Sequence, residues 1–278
     1  MDSVFYSKKL CELGEGIFYD SIGGNILWLD IINSTLFIKR IDKSDNVMRF
    51  NLDLNPSTIF KVELPHVYFS DAKGIAVFNT DSQQTKRLYA LGENISDGLD
   101  MRTNDGAMLD GKYLFGTMFK DPSKGKGKLF LYDPNNSKLL SSVANISIPN
   151  TFIELDDELL ISDSQEQKVY AYNKRSLFSE RRVWADFSDT NMTPDGGCLS
   201  IDGKVFIAMW GGACVKCFDL KGNELHEINV PALQPTNCVI SDSELYVTTA
   251  RDGLSDDELV TYPLSGALFR FQLGEVCG

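Results

Sequence analysis

Short runs in which apolar and polar positions alternate dominate the chain, and they recur at a regular interval. "ILWLDI" begins at 26, "VYFSDAKGIAVF" at 67, "YLFGTM" at 113, "LLISDS" at 159, "VFIAMW" at 205 and "LYVTTA" at 245, so successive segments start 40 to 46 residues apart. A second alternating run rich in aromatics follows most of them: "TLFIKRI", "KLFLYD", "KVYAYN", "CVKCFD" and "ALFRFQ". Period-two alternation of β-branched and aromatic residues, bounded by polar turns such as "DPNNS" and "DLKGN", predicts half-buried antiparallel strands. Helical periodicity contributes little. "SDDELVTY" and "NKRSLFSERR" each suffice for one helical turn, and neither sustains an apolar stripe over three turns.

A repeat of about 40–45 residues carrying about four strands is the period of a β-propeller blade. Six repeats over 278 residues therefore predict an all-β chain forming one six-bladed β-propeller domain, 1–278. A β-sandwich is the competing architecture, but its turn signals come every ~8–12 residues without a higher-order period. The recurring segments are assigned here to the inner strands of the blades. The N-terminal "MDSVFYSKK" is expected to complete the last blade as its outermost strand, because a ring leaves few exposed edges only when its ends are joined.

Composition narrows the function classes. With 43% apolar residues the chain can bury a sizeable core. Its 27 basic and 39 acidic side chains give a formal charge of −12, whose field repels phosphate backbones and anionic membrane surfaces. Nucleic acid and membrane are therefore not expected partners. No apolar run approaches the ~18 residues of a membrane span, and "MDSVFYSKKLCELGEG" lacks a positive-then-apolar leader. A cytoplasmic protein, monomeric or weakly homo-oligomeric, is expected. The cysteines at 11, 198, 214, 217, 238 and 277 are scattered in the manner of reduced thiols rather than of a disulfide framework. "CVKC" invites a zinc site, but in a strand Cys214 and Cys217 point to opposite faces and no second pair supports them. His66 and His226 lie far apart and are expected to be packing or surface residues.

The repeat also aligns chemistry. In a propeller, equivalent positions of the inner strands converge at one end of the central channel. Just upstream of the recurring segments stand Glu15, Asn104, Asn150, Asp195 and Asn237, with a weaker signal at Thr58 in "NPSTIF". Taken singly, Asn, Asp and Gly before strands are turn residues, and Asp195 in "TPDGG" is expected in a tight turn. Their common register gives the turns a second use, a cluster of two carboxylates and several amide oxygens. Such donors suit one divalent ion, Ca²⁺, Mg²⁺ or Mn²⁺, with Zn²⁺ or Fe²⁺ also able to bind.

These residues also carry a resemblance. "LGEGIFYD", "RTNDGAMLDGKYLFGTM", "IPNTF", "TPDGGCLSIDGKVFIAMWGG", "PTNCVI", "LYVTTAR" and "PLSGALFRF" are similar, in order and separation, to motifs of the regucalcin (senescence marker protein), gluconolactonase and luciferin-regenerating-enzyme family, over about residues 12 to 273. The resemblance implies one divalent metal held by Glu15, Asn150 and Asp195, substrate binding by Arg102 and Asn104, and hydrolysis of a sugar lactone with Asp195 as the base that activates water. The chain departs from the family at Ile17 and Phe18, which stand for Pro and Trp. It departs again at Thr151 and Phe152, which stand for Gly and Leu after Asn150. "FKDPSKGKGK", from 119 to 128, follows Gly-Thr-Met where the family often supplies a polar or acidic residue. It reads either as a solvated loop or as a basic lid with Lys120 or Lys124 favouring an acidic or phosphorylated sugar. Beside the lactonase stand two other functions, a metal-dependent phosphotriesterase or arylesterase and a non-catalytic calcium-binding propeller.

Overall fold

The computed structural model describes residues 4–7, 10–42, 46–92, 100–176 and 180–274. Among them the strands form six four-stranded antiparallel sheets, the blades of a six-bladed β-propeller. The chain divides into two compact units, one made of residues 1–51 and 189–278, the other of residues 52–188.

The first unit holds three blades. One runs β2 (Gly14–Asp20), β3 (Asn25–Asp30), β4 (Thr35–Arg40) and β5 (Met48–Asn51). The next comprises β18 (Thr193–Leu199), β19 (Val205–Trp210), β20 (Cys214–Phe218) and β21 (Glu224–Asn229). The third is ordered β1 (Val4–Ser7), β24 (Leu268–Gln272), β23 (Glu244–Ala250) and β22 (Gln234–Ser241), so the N-terminal strand does complete the last blade on its outer edge. Each strand forms because alternate side chains reach the same face. Phe206, Val215, Ile228, Val247 and Phe269 meet in one such layer, and Tyr6, Trp28, Phe37, Tyr246 and Leu268 in another.

The second unit repeats the design with β6 (Pro56–Glu63) to β9 (Gln84–Ala90), β10 (Met101–Leu109) to β13 (Lys138–Ile146), and β14 (Pro149–Glu154) to β17 (Arg181–Asp186). Phe60, Tyr113, Phe115, Phe130 and Tyr132 fill one of its layers, with the Phe60 and Tyr113 rings stacked at 4.6 Å. Leu114, Leu131, Phe152, Ile161 and Tyr170 fill another. A short helix, α1 (Asp256–Thr261), begins with a capping box between Ser255 and Glu258. The described part of "NKRSLFSERR" is turn and strand; residues 177–179 lie outside the described residues. No helix among the described residues is long and apolar enough to cross a membrane.

One assignment from the sequence needs correction. The recurring segments are the second strand of each blade, as in β3, β19 and β23, not the inner edge. The edge strand is the stretch before them, and it is the edge strands β2, β18 and β22 in one unit, and β6, β10 and β14 in the other, that carry the aligned polar residues. The aromatic runs form the third strands. "CVKCF" is β20, with Cys214 and Cys217 both buried free thiols three residues apart along a strand, which leaves no zinc pair. Cys277 lies outside the described residues.

Candidate active site

Each aligned residue sits where its edge strand shifts register against the next strand. The shifts fall between Glu15 and Phe18, Thr103 and Gly106, Asn150 and Ile153, Pro194 and Gly197, and Pro235 and Asn237. A bulge leaves extra residues unpaired and turns a side chain out of the regular alternation. Asp195 therefore stands within strand β18 and not in a tight turn, a second correction. Pro, Asp and Gly suit a bulge for the same reason that they suit a turn: both interrupt the ladder and need permissive backbone.

Buried aspartates fix the strands that enter these bulges. Asp30, at the end of β3, accepts from the backbone N–H of Glu12 at 3.0 Å and of Leu13 at 3.4 Å, just before β2. Asp163, at the end of β15 (Glu158–Asp163), does the same before β14, accepting from Ser147 N at 2.7 Å and Ile148 N at 3.1 Å. These two carboxylates hold the chain two and three residues ahead of Glu15 and of Asn150. The signal for them was the Asp closing "ILWLD" and "LLISD", which recurs with the blade and was not used.

In the first unit, Asn237 Nδ2 donates to Glu15 Oε2 at 3.5 Å, and Gly16 N donates to the same carboxylate oxygen at 3.0 Å. Gly16 follows Glu15 with φ 55, a left-handed conformation that glycine adopts without strain. Asn237 lies against the backbone beside Asp195: a Cβ on Gly196 would stand 2.1 Å from Asn237 Cγ, so any larger residue there displaces the Asn237 amide. Asp195 and Asn237 are each 7% exposed. Glu15, Asn237 and the Asp195–Gly196 step are thereby gathered on adjacent edge strands.

In the second unit, Asn104 Nδ2 donates to Asn150 Oδ1 at 2.9 Å and to Pro149 O at 3.0 Å. Asn150, 5% exposed, uses its own Nδ2 on Ser164 Oγ at 2.9 Å, so its amide is held from both ends. Arg102 is half-buried on β10, two residues before Asn104, and its Nη1 donates to Thr103 O at 3.0 Å. Thr58 is not presented as a ligand. Its hydroxyl, beside the carboxylate of Asp105, donates to Gly106 O at 3.1 Å.

Asp105 is a residue the sequence reasoning passed over, although it is the centre of "NDG". It is 7% exposed, and burial pushes its carboxyl up to about 6, against hydrogen bonds from Gly106 N–H, Thr58 and Thr151 N–H that favour the charged form. Ser164 is the other, found only through the fold. Two lysines of the lysine-rich segment form ion pairs: Lys120 Nζ lies 2.8 Å from Asp100, and Lys126 Nζ 2.6 Å from Glu166. Lys124 is exposed at the end of a 3-10 turn over Pro122–Lys124. His66 faces Asn79 Nδ2 at 3.2 Å and His226 is exposed on β21, so both keep to packing and surface. Among the described residues no three His, Cys, Asp or Glu side chains are grouped to hold a metal; a cation site here has to include amide oxygens.

Several known proteins have similar chains. Regucalcin of Oryctolagus cuniculus is 25% identical over 275 residues, 94% of this chain and 90% of that protein. L-arabinolactonase of Azospirillum brasilense is 27% identical over 275 residues, covering 92% and 87%. The crystal structure of regucalcin from Agrobacterium tumefaciens, a calcium-binding protein, superposes with a TM-score of 0.87 at 23% identity, over 96% of this chain and 92% of that one, which shows the propeller fold. The family described as SMP-30/Gluconolactonase/LRE-like region matches residues 13–251, and this chain belongs to it.

Proposed function

We propose that the chain is a metal-dependent hydrolase that opens a sugar lactone, with Glu15, Asn150 and Asp195 holding one divalent cation. The observation that carries this reading is the position of the three residues, each at a register shift of an edge strand, in a chain of the gluconolactonase-like family. The donor chemistry fits: carboxylate and amide oxygens are hard ligands suited to Ca²⁺, Mg²⁺ or Mn²⁺. The bulges support the fit, because they place these polar side chains outside the apolar alternation that fills the blades.

When bound, such a cation polarises a lactone carbonyl and stabilises the charge that develops on its oxygen. The chain's own groups do the rest. Asp195 accepts the proton of the attacking water at a carboxylate oxygen as the new bond to the carbonyl carbon forms. The ring C–O bond then breaks, and the proton passes to the departing ring oxygen, leaving an open hydroxy acid. Arg102 and Asn104 donate hydrogen bonds to substrate oxygens and fix the ring for attack.

The test is a panel of aldonolactones with a pH-indicator readout, corrected for spontaneous hydrolysis, on protein loaded in turn with Ca²⁺, Mn²⁺ and Zn²⁺. Loss of a general base costs roughly 10²–10⁴ in rate. D195N should lose at least that much kcat with its circular dichroism unchanged. Wild-type turnover in D195N would refute the role of Asp195. A protein that binds cation but opens no lactone, aryl ester or phosphotriester would instead be a calcium-binding propeller, as the name of the Agrobacterium tumefaciens protein suggests.

A further inference from the structure

Thr151 is in the wrong conformation for its type. Its φ is 66, in the left-handed region that a β-branched residue avoids, and it is fully buried directly after Asn150. Backbone of this kind persists only where its surroundings over-determine it. Two groups do so here: Thr151 Oγ1 donates to Ser162 Oγ at 3.1 Å, and Thr151 N–H donates to the carboxylate of Asp105. Asp105 itself accepts from Gly106 N–H, beside the Thr58 hydroxyl. It lies within the β10 bulge, next to Asn104, whose amide donates to Asn150.

We infer that Asp105 is a positioning residue for Asn150: by holding the left-handed Thr151 peptide it sets the plane and reach of the Asn150 amide. The inference rests on the proposed cation site and adds to it a residue that does not touch the ion. In β10 the consecutive residues Asn104 and Asp105 then work on the same target from two sides. Asn104 bonds the Asn150 side chain and Asp105 bonds the backbone that follows it. A glycine at 151 would adopt this conformation unaided. With threonine there, the carboxylate at 105 has to hold it.

Groups that orient a metal ligand typically change metal affinity by about 10–100-fold when removed. Isothermal calorimetry with Ca²⁺ and Mn²⁺ should therefore show D105A binding at least 10-fold more weakly than wild type. T151G should bind within about 2-fold of wild type, and D105A/T151G should recover most of the loss, because the backbone no longer needs to be held. If D105A does not fold, as read by a missing cooperative melt, the same comparison is made with D105N and D105N/T151G. D105N keeps the size but leaves one accepting oxygen for the N–H groups of Gly106 and Thr151, so a smaller loss with the same recovery is expected. Wild-type affinity in D105A, or in D105N where that variant replaces it, overturns the inference alone. A double variant as weak as its Asp105 parent overturns the route through Thr151. A wild-type protein that binds neither cation overturns the site itself, and the inference with it.

Discussion

A carboxylate that is 7% exposed keeps its proton in the folded chain to a higher pH than in the unfolded one, and stability records the difference. Burial pushes Asp105 up to about 6, while an unfolded Asp loses its proton near 3.9. Between those values the folded chain binds more protons than the unfolded chain. Stability then falls as pH rises from about 4 to about 6, and the deficit remains at higher pH. Roughly two pH units correspond to about 3 kcal/mol as an upper bound. Asp105→Asn removes the charge and with it this pH dependence. In EDTA, the melting temperature of D105N minus that of wild type should be small at pH 4.5 and widen in favour of D105N toward pH 7. A difference that stays flat over that range, measured by scanning calorimetry, would show that Asp105 is not held neutral by burial.

The strand is the element at which this fold is closed, and β1 carries that closure. Tyr6 on β1 packs edge-on against Tyr246 at 4.8 Å, its hydroxyl donates to Arg40 O at 3.0 Å, and Lys39 Nζ sits 4.1 Å from its ring centre while donating to Tyr6 O at 2.6 Å. One side chain thus ties the outer strand of the last blade to β4 of the first. Truncating a buried large aromatic costs about 3–5 kcal/mol. At roughly 2–4 °C per kcal/mol for a chain of this class, Tyr6→Ala should melt about 10 °C below wild type. A fall of under 3 °C would mean that β1 contributes little beyond its backbone pairing. The closing strand was legible in "VFYS" because the ring argument demanded a partner for the last blade, whereas the edge strands were not. Second and third strands announce themselves through compact runs of apolar and aromatic residues, as in "ILWLDI" and "KVYAYN". Edge strands such as "TPDGGCL" and "MRTNDGAML" are broken by bulges and carry the polar residues of the proposed site, so their composition is that of turns. The site residues could be aligned by register, yet the strand bearing them was misplaced by one position in the blade. Asp105, Ser164 and the aspartates 30 and 163 stayed hidden because their roles depend on partners 14 to 47 residues away or on main-chain donors, and no local pattern encodes either.

At the scale of the whole molecule, a formal charge of −12 attracts divalent cations everywhere, and the proposed site has to be told apart from that background. Diffuse attraction is screened over ~8 Å at physiological ionic strength and over ~3 Å at 1 M, whereas coordination by partly buried carboxylate and amide oxygens is screened much less. A cation that binds only the folded chain stabilises it by about 2.7 kcal/mol at a hundredfold excess over its dissociation constant. For a chain of this class that is a rise in melting temperature of roughly 5–10 °C. Adding Ca²⁺ or Mn²⁺ at that excess to EDTA-stripped protein should therefore raise the melting temperature by this amount, at 0.1 M and at 0.5 M NaCl alike. D195N, which exchanges the buried carboxylate for a neutral amide, should show little of the rise at either salt. If the shift in wild type vanishes at 0.5 M NaCl, or survives intact in D195N, the stabilising ions are bound by the acidic surface and Asp195 is not among their ligands.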